Sequence, residues 1–303
     1  MDLWAAWDTG GPITWARLSA RSETLDAQLG SADSEQQRVS QSAPTRLSVG
    51  GGTVLEWSGY GFEDVLLGAV MQRGFSKRNG SVRERFKILK HLGDHAILFG
   101  GMEVSQIAIT VGDGLVLAAV DWVGCSAEVI EAPQLPTNWV FEPPGHAHLM
   151  AGHDIALALT FGGTALTSET FTLTLSNALR EVHAVGAGRA PVSTMQGAFS
   201  ATLSGVFYYD GPGVFQSARI EQSGTMLLTI GPRQLYAARM HATSAGTVLS
   251  DVDLHQPIEF QCFEDDVYGT LMLDPFDTAP IPFLVGDGEV FLVSGDPYLV
   301  GRH

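Results

Sequence analysis

The chain is poor in charge, in cysteine and in long apolar runs, and each shortage excludes a class of protein. Only 17% of its 303 residues are charged while 45% are hydrophobic, which excludes an intrinsically disordered chain. No segment approaches about 18 uninterrupted apolar residues, so no membrane-spanning helix is expected. The low charge indicates a surface that is largely covered by other chains, although a glycine-rich β protein with few charges would have the same composition.

Basic residues are the scarcer of the two charged classes. Lysine and arginine together number 17 against 33 acids, which gives a net charge of −16. A general nucleic-acid binder needs basic side chains to replace the counterions of phosphate, so this balance excludes that class. It does not exclude a channel through which DNA slides, because acidic walls repel phosphate. Simple solubility would require the same surplus of acids, and composition does not separate the two.

Cysteine occurs only twice, as Cys125 and Cys262, which indicates a reducing compartment and no disulfide framework. Each ends an apolar strand, where a cysteine is expected to be a small buried side chain. The sequence begins MDLWAAWDTGG, without a cationic region before an apolar one, so no secretory signal is expected. The protein is therefore expected to remain in the compartment where it is made.

Catalytic and cofactor motifs are also missing. Gly50–Gly52 is followed by Thr-Val-Leu and not by the Lys-Ser or Lys-Thr of a phosphate-binding loop, and there is no G-x-S-x-G nucleophile motif. His146, His148 and His153 form a cluster in which the first two could share a metal on one side of a strand. Two prolines and a glycine precede the cluster, and the three histidines are expected to be exposed to solvent without a metal. The sequence predicts no enzyme, no cofactor and no metal site.

What the chain does contain is strand periodicity. In residues 86–125, apolar residues alternate through Ile107 and Ile109, a Gly-Asp-Gly turn follows, and an apolar run returns, which predicts an antiparallel hairpin. Helical spacing is limited to residues 62–70 and 213–220. Breaks between strands are expected at Gly50–Gly52 and at further glycine pairs.

Two related halves are predicted. The polar segment 31–44 (SADSEQQRVSQSAP) is expected to project as a loop, and a proline-bearing linker at about 132–152 separates a domain at 1–135 from one at 136–303. Residues 101–125 align without gaps on residues 238–262, a displacement of 137 positions that matches Cys125 with Cys262. Together with the order of the elements, this alignment indicates a tandem duplication.

Several segments, in order, resemble the tail tube proteins (major tail proteins) of long-tailed, siphovirus-like bacteriophages. TGGPITWARLSARSETLDAQLGS from Thr9 is similar to the opening strand of that family, and Phe62-Glu63-Asp64-Val65-Leu66-Leu67 stands where the family has "fDdLL". FGGMEV and the return run ending at Cys125 are similar to its central hairpin, and FTLTLSNALREVHAVG from Phe171 resembles a strand of a second copy. Each piece is weakly specific, and their order over residues 9–275 carries the inference.

The resemblance implies a fold and a function. It implies a mainly β chain of two tandem tail-tube domains, each a packed antiparallel β-sandwich or half-barrel with a short flanking α-helix. Such domains form six-part rings, so that three chains would suffice, and the rings stack into a non-contractile tube for genome delivery. The implied location is the virion tail, after assembly in the bacterial cytoplasm.

The implied partners are other copies of the chain, the tape measure protein, the tail terminator and the distal tail protein, while DNA passes through the lumen without specific binding. The expected ring-stacking residues are Ser34, Glu35, Gln36, Gln37 and Arg38. The candidate lumen-facing acids are Glu103, Asp121, Asp251, Asp253 and Glu259.

Two other classes remain open from the residues alone. A β-sandwich carbohydrate-binding or receptor-binding virion module would stack sugars on exposed aromatics, for which the candidates are Trp57, Tyr60, Tyr208 and Tyr209. A metal-dependent enzyme would use the histidine cluster and would require bound zinc.

Overall fold

The computed structural model describes residues 2–7, 14–18, 20–32, 43–58, 62–74, 76–131, 139–141, 149–185, 188–208, 222–246, 248–249, 254–274, 281–284 and 290–293. In these ranges the chain is mainly β, as the sequence predicts. No described helix is long and apolar enough to cross a membrane.

The described part of the first half contains one helix, α1 (Glu63–Met71), and a series of strands. The described strands are β1 (Asp2–Trp7), β2 (Thr14–Arg17), β3 (Ala20–Glu23), β4 (Asp26–Ala32), β5 (Ala43–Glu56), β6 (Phe86–Leu92), β7 (His95–Val111), β8 (Leu117–Val123), β9 (Ser126–Glu131) and β10 (Val140–Phe141).

The second half opens with a 3-10 turn at Gly152–Asp154. Its described strands are β11 (Ile155–Phe161), β12 (Thr164–Leu166), β13 (Ser168–Ser176), β14 (Arg180–Val182), β15 (Ser193–Met195), β16 (Ser200–Tyr208), β17 (Gly224–Ile230), β18 (Arg233–Ala245), β19 (Val248–Leu249), β20 (Leu254–Cys262), β21 (Met272–Leu273), β22 (Ile281–Leu284) and β23 (Val290–Val293).

Helix α1 confirms the prediction for residues 62–70 to within one residue at each end. Glu63 and Asp64 occupy its first turn, where negative charge is favoured, and Gln72 ends it in the left-handed conformation. Buried Glu63 accepts hydrogen bonds from the hydroxyl and the backbone N–H of Ser58, which ties the helix to the end of β5. The second predicted helix, at 213–220, lies outside the described residues.

One long antiparallel sheet runs through both halves. Its spatial order is β3 with β4, then β5, β8, β7, β13, β16, β20 and β18, and each neighbouring pair is joined by a ladder. The halves meet where β7 pairs with β13, with Val111 opposite Phe171 and Gln106 opposite Ser176. The sheet is therefore continuous across the middle of the chain.

The same order of pairing occurs twice. In the first half β7 pairs with β6 and β9 through its beginning and with β8 through its end, and β18 pairs with β17, β21 and β20 in the same way. Both strands carry a bulge, at Ser105 and at Thr243. The ladders coincide at a displacement of 138 residues, as Met102 corresponds to Met240.

The predicted displacement of 137 is therefore wrong by one residue. The ladders match buried Gly124 with buried Cys262, and they match half-buried Cys125 with exposed Phe263. A slip of one residue reverses the face of every side chain in a strand, so the two cysteines are not equivalent.

The core lies on one face of the long sheet. Trp57, Trp122 and Phe86 are nearly inaccessible, and Phe86 meets Trp122 edge to face at 5.9 Å between ring centroids. The indole N–H of Trp122 donates to the hydroxyl of Thr53 at 2.9 Å, which satisfies the one polar atom of a buried ring. Helix α1 packs into the same core, as do the strands that we call the outer layer, namely β1, β6, β9, β11 and β17. Together with the long sheet they form the predicted sandwich.

The predicted division between residues 135 and 136 stays a prediction. Strand β10 pairs in parallel with β2, and the backbone of Met150 bonds to Trp57 and Val116, so both segments contact the first half.

Candidate functional site

The central part of the free face of the long sheet is built mainly from small, uncharged side chains. Its positions alternate with the buried residues of each strand, as Thr110 alternates with Ile109 and Val111. Most of its central positions carry a hydroxyl, an amide or a methyl group, namely Gln106, Ala108, Thr110, Ala119, Thr172, Thr174, Ser176, Ser200, Thr202, Ser204, Ser244 and Gln261. We call this surface the open face, and none of these positions is a lysine or an arginine.

The open face crosses the middle of the chain without interruption. At the β7–β13 junction, the hydroxyl oxygens of Thr110 and Thr172 lie 3.2 Å apart. Thr172 then pairs with Ser204, and Ser204 pairs with Glu259 on β20. The side chains along this path, of Thr110, Thr172 and Ser204, are short and polar.

Two predicted lumen acids, Asp121 and Glu259, lie exposed on the open face. Asp121 is opposite Gln106 and Glu259 is opposite Ser244, and in each pair the partner is the residue that follows the bulge. Partial burial raises the pKa of the Asp121 carboxyl above its usual value. The open face therefore carries one acid at the same place in each half.

Glu103, the third described candidate, is not available to line a channel. It is only 2% exposed, so its prediction as a lumen residue is wrong. Arg83 forms a two-pronged ion pair with it, Arg85 Nε donates at 3.1 Å and the hydroxyl of Thr194 donates at 2.7 Å. No local pattern around Glu103 indicates this burial, because Thr194 and its hairpin β14–β15 come from the other half.

Asp251 and Asp253 lie outside the described residues, as do the five predicted stacking residues Ser34, Glu35, Gln36, Gln37 and Arg38. The ends of the predicted loop 31–44 belong to strands, because Ser31 pairs with Pro44 and Ala32 with Ala43 at the end of the β4–β5 hairpin. The polar segment therefore joins two paired strands.

The sheet ends in two edges without a described neighbour. On one side, β3 and β4 pair only with β5 among the described strands. On the other, residues 241–245 of β18 pair with β20, and no described strand lies on their outer side. Unpaired edges of this kind are templates for pairing with another chain.

Trp57, Tyr208 and His153, the described residues of the two alternative hypotheses, do not form a common site. Trp57 is 1% exposed, so it cannot stack on a sugar, whereas Tyr208 is exposed and lies 5.6 Å from the ring of His255. Tyr60 and Tyr209 lie outside the described residues, as do His146 and His148. His153 is exposed beside Asp154. Burial raises the pKa of the Cys262 thiol to about 12, which makes it a poor nucleophile.

The contact between the halves includes a cluster that sequence reasoning missed. Arg233 on β18 donates to Asp64 of α1 at 2.7 Å and to Asp274 at 2.8 Å. No local pattern indicates such a cluster, since its members lie far apart in sequence. The threonine alternation of FTLTLS could have identified the open face, because Thr172 and Thr174 recur at every second position.

Comparison with known proteins agrees with this architecture. Among curated proteins, none is similar enough to this chain to be matched. A family model described as phage tail tube protein matches residues 4–262, which covers both halves and every strand of the long sheet. The chain belongs to the phage tail tube protein family, and it is a structural protein of the bacteriophage virion.

Proposed function

We propose that three copies of this chain close into a ring with pseudo-sixfold symmetry and that the rings stack into the non-contractile tail tube. The repeated strand order is the observation that carries this proposal. With β3 and β4 taken together as one edge, each half supplies four strand positions to the long sheet, so one chain resembles two neighbouring subunits already joined through β7 and β13. Three chains would supply six such units.

The open face would line the lumen of this tube. The opposite face of the described strands is buried against the core, so the open face is the surface that these strands can turn inward. Asp121 and Glu259 would form two sets of carboxylates around the channel. Negative charge repels phosphate over a Debye length of roughly 8–10 Å, so DNA would pass during genome delivery without binding.

The other partners that we propose are those implied by the resemblance to tail tube proteins. The tube would enclose the tape measure protein and would meet the tail terminator and the distal tail protein at its two ends. The segment joining β4 to β5 would contact the next ring. Assembly would take place in the cytoplasm of the bacterial host.

Electron microscopy of the purified protein, combined with native mass spectrometry, tests the proposal. We expect hollow rings or tubes with apparent sixfold order and a smallest closed species of three chains. Rings of six chains would refute the stoichiometry, because each chain would then supply only one unit. A protein that stays monomeric at high concentration and saturably binds glycans would support the carbohydrate-binding module instead.

A further inference from the structure

The β7–β13 ladder at the junction of the two halves serves as a model for the register between neighbouring chains. In this junction β7 pairs antiparallel with β13, and Ala108 lies opposite Thr174. Among the described strands, the long sheet has two edges without a neighbour: residues 241–245 of β18, which corresponds to β7, and β3 with β4, which corresponds to β13. The junction is therefore a template for a contact between two copies.

The residue correspondence on the first edge comes from the hairpins. Met102 corresponds to Met240 and the bulge at Ser105 to the bulge at Thr243. By the same displacement Gln106 corresponds to Ser244. Ser244 belongs to the part of β18 whose outer edge has no described neighbour.

The correspondence on the second edge follows the ladders across the sheet. Val123 corresponds to Gln261, Val123 pairs with Gly50, and Gly50 pairs with Asp26. In the second half Gln261 pairs with Thr202, and Thr202 pairs with Thr174. Asp26 therefore corresponds to Thr174, and by the same step Gln28 corresponds to Ser176.

Burial supports this assignment independently. Leu25 is 2% exposed whereas Thr24, Asp26 and Gln28 are exposed, so the edge alternates as β13 does around Leu173. A register shifted by one residue would turn Leu25 to the open face, which side-chain alternation forbids.

The backbone of the β4 edge has the hydrogen bonding expected of a free edge. The N–H of Thr24 donates inward to the carbonyl of Gly52 on β5. The alternate N–H groups, of Leu25 and Ala27, donate instead to carboxylates of their own segment, at 3.0 Å to Glu23 and at 2.7 Å to Asp26. Local carboxylates thus occupy the donors that a neighbouring strand would use.

From these observations we infer that the free edge of β18 in one copy pairs antiparallel with β3–β4 of the next copy, with Ser244 opposite Gln28 and Ala245 opposite Ala27. This inference rests on the proposed ring. It specifies the partner edge and the register, which the ring alone does not fix. The backbone N–H of Ala27 then exchanges the Asp26 carboxylate for the carbonyl of Ala245.

Disulfide trapping with Ser244→Cys and Gln28→Cys tests the register. The internal counterpart of this pair, Gln106 with Ser176, lies next to the hydrogen-bonded pair of Ser105 and Asn177. It is therefore a non-hydrogen-bonded pair, with Cα atoms about 4.5 Å apart, which a disulfide can bridge. Burial raises the pKa values of both native thiols, so the introduced cysteines react preferentially.

We expect oxidation of the assembled double variant to give covalent multimers that end at the closed ring. A mixture of the two single variants should give covalent dimers only, because each chain then carries one introduced thiol. The control is the double variant Ser244→Cys with Asp26→Cys. Asp26 lies two residues from Gln28 on the same face of the strand. This control should give about tenfold less product, because diagonal neighbours lie roughly 7–8 Å apart.

The outcomes separate this inference from the proposed function. Rings in the microscope without the Ser244–Gln28 crosslink, or with the Ser244–Asp26 crosslink in its place, would overturn the register and leave the ring intact. Wild-type protein that forms neither rings nor tubes would overturn the proposed function, and the register with it.

Discussion

Asp121 and Glu259 occupy equivalent positions in two hairpins of the same sheet. Each lies one ladder step beyond a bulge, opposite Gln106 and Ser244 respectively, and each is exposed on the open face. The position opposite the residue after the bulge therefore carries a carboxylate in both halves, which indicates the same role for the negative charge in each.

Replacing either acid with lysine should let the tube retain DNA. We expect purified tubes of Asp121→Lys or Glu259→Lys to bind short duplex DNA at low salt, and binding should weaken steeply as salt rises, because lysines release phosphate counterions. Fluorescence anisotropy of labelled DNA measures this. Glu128→Lys, exposed on the outer strand β9, is the control with the same change of charge. Equal binding by all three variants would place Asp121 and Glu259 outside the lumen.

The segment between β4 and β5 should be dispensable for folding and required for stacking. Ala32 lies opposite Ala43, so replacing residues 33–42 with Asn-Gly closes a two-residue hairpin at this pair. We expect an unchanged circular dichroism spectrum and single rings in place of tubes by electron microscopy. Long tubes from the shortened variant would show that other surfaces stack the rings. A variant with residues 33–42 in reversed order is the control for length.

The stability of the chain should depend on pH through Asp64. Burial raises the pKa of Asp64 more than the nearby Arg233 lowers it. A carboxyl with a raised pKa binds more protons folded than unfolded, so its contribution to stability is present at low pH and is lost as pH rises through the raised pKa.

Asp64→Asn has no such proton to lose and keeps an oxygen that can accept from Arg233. We therefore expect the unfolding free energy of the wild type, relative to Asp64→Asn, to fall from pH 4 to pH 7 as the folded carboxyl loses its proton. Urea denaturation at both pH values measures the difference, with Asp113→Asn in the exposed turn as control. A difference that grew with pH would contradict the assigned cause.

Gly51→Ala should destabilise the chain next to its free edge. Gly51 has a φ of 137°, and an added Cβ would meet the carbonyl group of Thr24. We expect a loss of about 2–4 kcal/mol, since strain and overlap combine. Gly114→Ala is the control, because no atom lies within 4 Å of its added Cβ. Urea midpoints compare the two, and equal midpoints would show that β5 relaxes without cost.

Local sequence patterns predicted the main elements of this fold, but they wrongly predicted a strand break at one run of glycines. The α1 stripe and the central hairpin were predictable, because their side chains repeat with the period of a helix or a strand. Gly50–Gly52 was expected to break a strand, yet β5 runs through it. A Cβ at Gly50 would collide with the carbonyl of Trp122, so glycine serves close approach between strands at this point.

The sequence correctly predicted those site residues whose exposure depends only on the alternation of buried and exposed side chains along a strand. Asp121 and Glu259 alternate with buried residues of their own strands, and the structure leaves them exposed. Glu103 also belongs to a strand of the long sheet, β7, but Arg83 and Thr194 cover it from distant parts of the chain. Contacts of this kind leave no periodic signal. The displacement of 137 failed for a related reason, since small residues recur often enough to match one position out of register.

Strand β7 belongs to both layers of the sandwich, with residues 95–102 paired in the outer layer and 103–111 in the long sheet, and β18 repeats this division. The two layers are thus connected by covalent bonds as well as by side-chain packing. A mechanical load on the inner layer is transmitted to the outer layer along the backbone. The layers resist sliding past one another, and the wall they form should deform as a single elastic body.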